Sequence, residues 1–156
     1  MANQIRELMG LGSQKIDMGK FIEFILPKAI PEFYFVVLPK NKMSSVEAMT
    51  YPNELFMEIR EDVYEDLMNG NGRAQFTLAH EFGHLVLHAG IDKELSFARQ
   101  GNKHEAYEDS EWQADTFSSE FLMPIDEAIK CKNAEEILQK FGVSFSAATV
   151  RFNRIN

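Results

Sequence analysis

The chain has 156 residues, 45% of them hydrophobic and thirteen of them Phe, enough to bury one sizeable core, and it is read as a single domain over 1–156. A formal net charge of −8 argues against a nucleic-acid partner, because phosphates would meet repulsion where counterion release normally supplies affinity. The single cysteine, Cys131, excludes an internal disulfide, and neither a leader nor a run of ~20 apolar residues is seen, so a cytoplasmic protein with no membrane partner is expected.

Helices are expected over residues 3–9 and 15–27, with Ile16, Phe21, Phe24 and Ile25 as core contacts and a break bracketed by Pro27 and Pro31. Residues 33–38 are rich in β formers and end at Pro39, so they read as a strand. Residues 46–51 are a weaker strand, and 55–59 a third after the turn signal Pro52-Asn53. Three short strands so close together predict a small antiparallel sheet and an α+β fold. Residues 61–68 read as a short helix, and Asn69-Gly70-Asn71-Gly72 as the loop after it.

The next stretch carries chemistry. His80-Glu81-Phe82-Gly83-His84 spells H-E-x-x-H, and a helix places two histidines four residues apart on one face, able to hold one zinc ion. At about 100° per residue, Leu78, Phe82, Leu85 and Val86 share one stripe, while Thr77, His80, Glu81, His84 and His88 share the opposite one. The pattern predicts a helix over about 73–88, with Glu81 beside the metal as general base. The competing reading is an amphipathic helix that is merely rich in histidine. Against it, three of the four histidines lie within nine residues around that glutamate. His88 lies one turn beyond His84, but three successive turns diverge too far to converge on one ion, so a role at the helix end is expected for it.

Residues 89–110 are polar and strongly charged, either a connection bordering the cleft or a solvated surface loop. Ser110 with Gln113 then suggests a capping box opening a helix that Pro124 ends, with Ala114, Phe117, Phe121 and Leu122 as its apolar face. A catalytic zinc takes three protein ligands and keeps one position open. Glu111 is the candidate third ligand, and Asp115, one turn on, would accept the free N–H of a zinc histidine. His104, Glu105, Glu108 and Asp109 compete with Glu111 by residue type, and spacing alone does not decide among them.

Near the C-terminus, residues 134–141 read as a helix capped by Asn133 and stopped by Gly142, and Ser144 caps a second helix running to Asn153. This is also the outline of a DNA-binding helix-turn-helix. The second helix offers mainly Arg151 and Arg154 to a groove, whereas Phe145, Ala147, Ala148, Val150 and Phe152 suit packing. The helices of about 125–154 are therefore expected to pack on the domain, with Arg151 contacting substrate or the chain's own carboxylates. Cys131 reads as a small buried residue rather than a nucleophile.

Arg73-x-x-Phe76-Thr77-Leu78-Ala79-His80-Glu81-Phe82-Gly83-His84, then Glu111-x-x-Ala114-Asp115-x-Phe117, Phe121-Leu122-Met123-Pro124 and the tail Val143-Ser144 with Arg151-Phe152, resemble the ImmA/IrrE family of metallopeptidases over roughly residues 33–154. The resemblance implies a small zincin-like, gluzincin-type domain whose helices pack on a three-stranded antiparallel sheet. It implies Zn2+ held by His80, His84 and Glu111, with Glu81 as the catalytic acid/base. Asp115 stands where the family often has Asn and keeps an acceptor there. Metzincins match less well, since Leu87 and Gly90 stand where they need Gly and His. The implied activity is zinc-dependent hydrolysis of a peptide bond in a protein substrate, expected to be a helix-turn-helix transcriptional repressor of a phage, another mobile element or a stress response. The alternatives are a non-catalytic antirepressor with a structural zinc site and a DNA-binding helix-turn-helix protein.

Overall fold

The computed structural model describes residues 1–89 and 103–155. Helix α1 (Ala2–Leu8) opens the chain. A continuous helical segment comes next, made of α2 (Met18–Lys20), a π turn at Phe21–Ile25 and α3 (Leu26–Ala29). The break expected between Pro27 and Pro31 falls at Ile30, where the chain leaves the helical region after Ala29, and Pro27 itself stays helical. Pro27 lies in the first turn of α3, and the wide turn before it, where the Leu26 N–H bonds the Phe21 carbonyl, accommodates the ring. The extra residue in that turn rotates the helix face beyond it. Phe21, Ile22 and Leu26 point inward, while Phe24, expected in the core, is 59% exposed.

Three strands form one sheet: β1 (Tyr34–Leu38), β2 (Ala48–Tyr51) and β3 (Phe56–Arg60), in the order β1-β3-β2. Each lies within two residues of its expected place, but the sheet is mixed, not antiparallel. β3 pairs antiparallel with β2, Tyr51 opposite Phe56, and parallel with β1, Tyr34 also opposite Phe56. The reason lies in the connections. A short 3-10 turn at Pro52–Glu54 folds β3 back on β2. Between β1 and β2 lie helix α4 (Lys40–Met43) and a further stretch, a crossover long enough to bring β3 in beside β1 in the same direction. Met57 and Ile59 of the central strand are fully buried.

Helix α5 (Glu61–Met68) leads to α6 (Gly72–His88), whose N-terminus is capped by Asn71: its side-chain oxygen accepts from the N–H groups of Arg73 at 2.9 Å and Ala74 at 3.1 Å. Helix α7 (Lys103–Leu122) packs along α6. It starts seven residues before Ser110, so Ser110 lies inside the helix and not at its N-terminus. The run of Lys, Glu and Ala at its start favours helix, which its polarity disguises as loop. The rest of the expected connection, 90–102, and the side chains of His104, Glu105 and Glu108 fall outside the described residues.

Helices α8 (Ile125–Ala128), α9 (Ala134–Phe141) and α10 (Phe145–Ile155) close the fold. The expected devices are in place: Asn133 caps α9, Gly142 ends it at φ 67°, and the Ser144 hydroxyl accepts from the Ala147 N–H at 3.2 Å. Phe21, Phe82, Phe117 and Phe121 join the N-terminal segment, α6 and α7 into one aromatic cluster, with ring centroids from 4.8 to 5.7 Å apart. Arg6, 2% exposed, donates to the carbonyls of Gly12 (2.8 Å), Gln14 and Phe121, tying the N-terminal turns to the end of α7. Among the described residues, no helix is long and apolar enough to cross a membrane.

Candidate metal centre

Helix α6 divides as its periodicity predicts. Leu78, Phe82 and Leu85 are buried and Val86 is half-buried against the core, while His80 and His84 emerge together on the other side. α7 crosses this side very closely. A Cβ on Gly83 would stand 3.1 Å from the Phe117 ring and 3.3 Å from both Cα and the carbonyl oxygen of Ala114. The missing side chain lets the two helices approach far enough for Glu111, 31 residues beyond His80, to reach both histidines.

The three side chains converge, each histidine on a different oxygen of the one carboxylate. His80 Nε2 lies 3.1 Å from Glu111 Oε2, His84 Nε2 lies 3.1 Å from Glu111 Oε1, and the two Nε2 atoms are 3.0 Å apart. Among the described residues, His80, His84 and Glu111 form the one group of this kind able to hold a metal ion. Ligand atoms at about 2.0–2.1 Å from one ion at tetrahedral angles stand roughly 3.3 Å apart, so these separations suit a small divalent cation. The protonation pattern suits one too. Burial, followed by the charges of His80 and His88, pushes the His84 imidazole down to about 4, leaving it neutral at pH 7 with a lone pair to offer.

The other sequence-predicted residues gather at the same place. Asp115 Oδ1 lies 2.8 Å from His80 Nδ1, so the carboxylate can take that proton and direct the Nε2 lone pair inward. Glu81 is 9% exposed. Burial pushes its carboxyl above the ordinary glutamate value, opposed by the neighbouring Thr50 and by the charge of His80, and reinforced by Glu111. The Thr50 hydroxyl donates its proton to the Glu81 backbone carbonyl at 3.0 Å, clamping β2 against α6. Thr50 is a site neighbour that sequence reasoning missed: periodicity located its strand, but nothing in the sequence says which strand lies along the metal helix. His88 sits near the helix end as expected, but it also touches the site, with its Nδ1 3.1 Å from Nδ1 of His84.

A groove of about 510 Å³ adjoins Asp115, lined in part by Phe76 and Thr77 of α6, Asp115 and Ser119 of α7, and Ala147 and Val150 of α10. At its rim Arg73 pairs with Glu47 at 2.5 Å. Of the two options for Arg151, contact with the chain's own carboxylates is the one found: it is 3% exposed, and its Nη1 donates to Glu120 Oε1 at 2.6 Å.

The motifs and the tail fall within residues 44–153, the span matched by a peptidase family model described as the IrrE N-terminal-like domain. No curated protein matches the chain. Among solved structures, a Mycobacterium tuberculosis transcriptional regulator superposes with a TM-score of 0.64 at 13% identity, over 94% of this chain and 43% of its own. At that identity the likeness is one of fold, and this chain spans less than half of that protein's length. The family match supports a peptidase kind of reaction at a site with a metal-binding group, and the chain belongs to the family of IrrE N-terminal-like domains.

Proposed function

We propose that the chain acts as one metallopeptidase domain, a zinc-dependent endopeptidase that hydrolyses a peptide bond in a protein substrate. The observation that carries this reading is that the Nε2 atoms of His80 and His84 lie 3.0 Å apart and each lies 3.1 Å from one oxygen of the Glu111 carboxylate, beside a buried glutamate. A zinc ion held there supplies Lewis acidity, making water easier to deprotonate and a carbonyl easier to attack. The Glu81 carboxylate takes a proton from the attacking water as the new C–O bond forms. It returns that proton to the leaving nitrogen as the C–N bond breaks. Its raised proton affinity suits both halves of that exchange. Asp115 holds His80 in the tautomer that presents Nε2. The groove beside Asp115 receives the polypeptide flanking the scissile bond.

The substrate we assign is a helix-turn-helix transcriptional repressor, on the resemblance of the motifs to those of repressor-directed peptidases and on a fold neighbour that is itself named a transcriptional regulator. That neighbour's name equally favours a binder, an antirepressor whose metal is structural. Direct DNA binding is the weaker reading, because Arg151, one of the two cations α10 would offer, is buried against Glu120.

Elemental analysis tests the metal, with about one equivalent expected in the parent protein and loss expected in His80→Ala and Glu111→Ala. Incubation with a purified repressor tests the chemistry. A new fragment that disappears in Glu81→Gln, with metal retained, supports the peptidase, whereas a stable complex without a fragment supports the binder. Cleavage surviving in Glu81→Gln would contradict the role given to Glu81.

A further inference from the structure

The last turn of α6 holds a contact that the hydrolytic chemistry leaves unexplained. While His84 turns Nε2 toward Glu111 and His80, its other ring nitrogen, Nδ1, lies 3.1 Å from Nδ1 of His88. The ring centroids are 5.2 Å apart. A hydrogen bond between two such nitrogens needs one N–H and one lone pair, so the tautomers of the two rings are linked. If His84 offers its Nε2 lone pair to a metal, its proton sits on Nδ1, and His88 Nδ1 must accept. The His88 proton then sits on Nε2, an atom that is buried without a partner among the described residues. In the opposite setting His88 donates, His84 carries its proton on Nε2, and that proton points at Glu111 Oε1 in place of a metal. One setting permits ligation and the other forbids it. His80 faces no such choice, because the Asp115 carboxylate 2.8 Å from its Nδ1 acts as acceptor.

We propose that His88 is a positioning residue for His84: its Nδ1 accepts the His84 N–H and holds that ring in its metal-binding tautomer, as Asp115 does for His80. The inference rests on the metal reading above and adds to it how the second histidine is set.

The test uses the full chain, with zinc alone as the probe. Zinc affinity is measured by competition with a chromophoric chelator for the parent, His88→Ala and His88→Asn, and the imidazole nitrogen NMR spectrum is recorded for the zinc-loaded parent. His88→Ala is expected to weaken zinc binding on the order of 10- to 100-fold. His88→Asn, whose side-chain oxygen offers an acceptor at the reach of Nδ1, is expected to restore affinity to within a few-fold of the parent. The spectrum is expected to show a protonated Nδ1 on His84 and a bare Nδ1 on His88. Unchanged affinity in His88→Ala, no recovery in His88→Asn, or a protonated Nδ1 on His88 would each overturn the proposal while leaving the metal reading standing. A parent chain that takes up no zinc would remove both. The spectrum needs no variant, so a substitution that fails to fold does not shield the proposal.

Discussion

Glu81 differs from the chain's surface carboxylates because it is almost wholly desolvated, and Thr50 is the neighbour that offsets part of that cost. Thr50→Val keeps the shape of the side chain and removes its hydroxyl. If one hydrogen bond of ~1.4 kcal/mol is lost from the reacting arrangement, kcat/KM should fall about tenfold with metal content unchanged. Steady-state cleavage and elemental analysis on the same preparation check this. Two half-buried carboxylates set a different pH response. The Arg60 guanidinium, with Lys40, holds Asp62 down at about 2, and Lys130 with Lys140 does the same for Glu127. Both folded values lie below their ordinary 3.8 and 4.5. Their stabilisation is therefore complete above the ordinary range and disappears as pH falls through it toward about 2. Denaturant midpoints of the Asp62→Asn, Glu127→Gln double variant should fall below the parent's at pH 7 and converge with them near pH 2. The residues of the site were unequally legible. His80, Glu81 and His84 follow from helical spacing alone, whereas the sequence held five candidates for the carboxylate or imidazole that completes the group: position on the helix pointed to Glu111 without excluding the other four, and the resemblance strengthened it. Thr50 left no trace, because which strand borders the helix is settled by tertiary packing.

Elements were legible where the signal is local and misread where an extra residue or a long connection intervenes. The caps at Asn133 and Gly142 depend on neighbours within four residues and could be read directly, whereas Asn71, read only as loop, turns out to cap α6. Phe24 could not, because the π turn shifts the face after Phe21. Strand direction could not either, since residue alternation is the same in both directions. The pairing of α6 with α7 turns on Gly83, which the motif contains but whose reason lies in the facing helix. Gly83→Ala would gain up to ~1 kcal/mol of helix propensity. Against that, two of the three nearest atoms belong to the Ala114 backbone, which cannot swing aside, and overpacking of this kind costs about 1–3 kcal/mol. A net loss of stability is expected, together with weaker zinc binding because α7 carries Glu111 outward. Chemical denaturation and chelator competition read the two effects separately, and a variant that binds zinc as tightly as the parent would show that the helices have room to spare.

At the scale of the whole molecule, the proposed ion would join two helices whose ligands lie 31 residues apart in the chain. A ligand that binds only the folded state stabilises it by mass action, about 2.7 kcal/mol at one hundred times Kd. Tm should therefore rise when zinc replaces a chelator, and the rise should vanish in His80→Ala. An equal rise in that variant would place the stabilising ion elsewhere. The overall α+β composition follows from the order of helical and strand-forming segments, but the junction of the N-terminal segment with α7 does not. Arg6 resembles any surface arginine in the sequence, yet it closes over the Phe121 carbonyl at the end of the longest helix.

The mixed sheet also constrains the order in which the protein can assemble. β2 and β3 are joined by a tight turn and can zip together at little entropic cost, whereas β1 must wait for a loop from Pro39 to Leu55 to close before it finds β3. Until then the β1-facing edge of β3 carries open backbone groups, the kind of edge that invites pairing with another chain. Lengthening the Pro39–Leu55 excursion would prolong the exposure of the Phe56–Arg60 edge, and is expected to raise self-association during refolding even if the finished protein were no less stable.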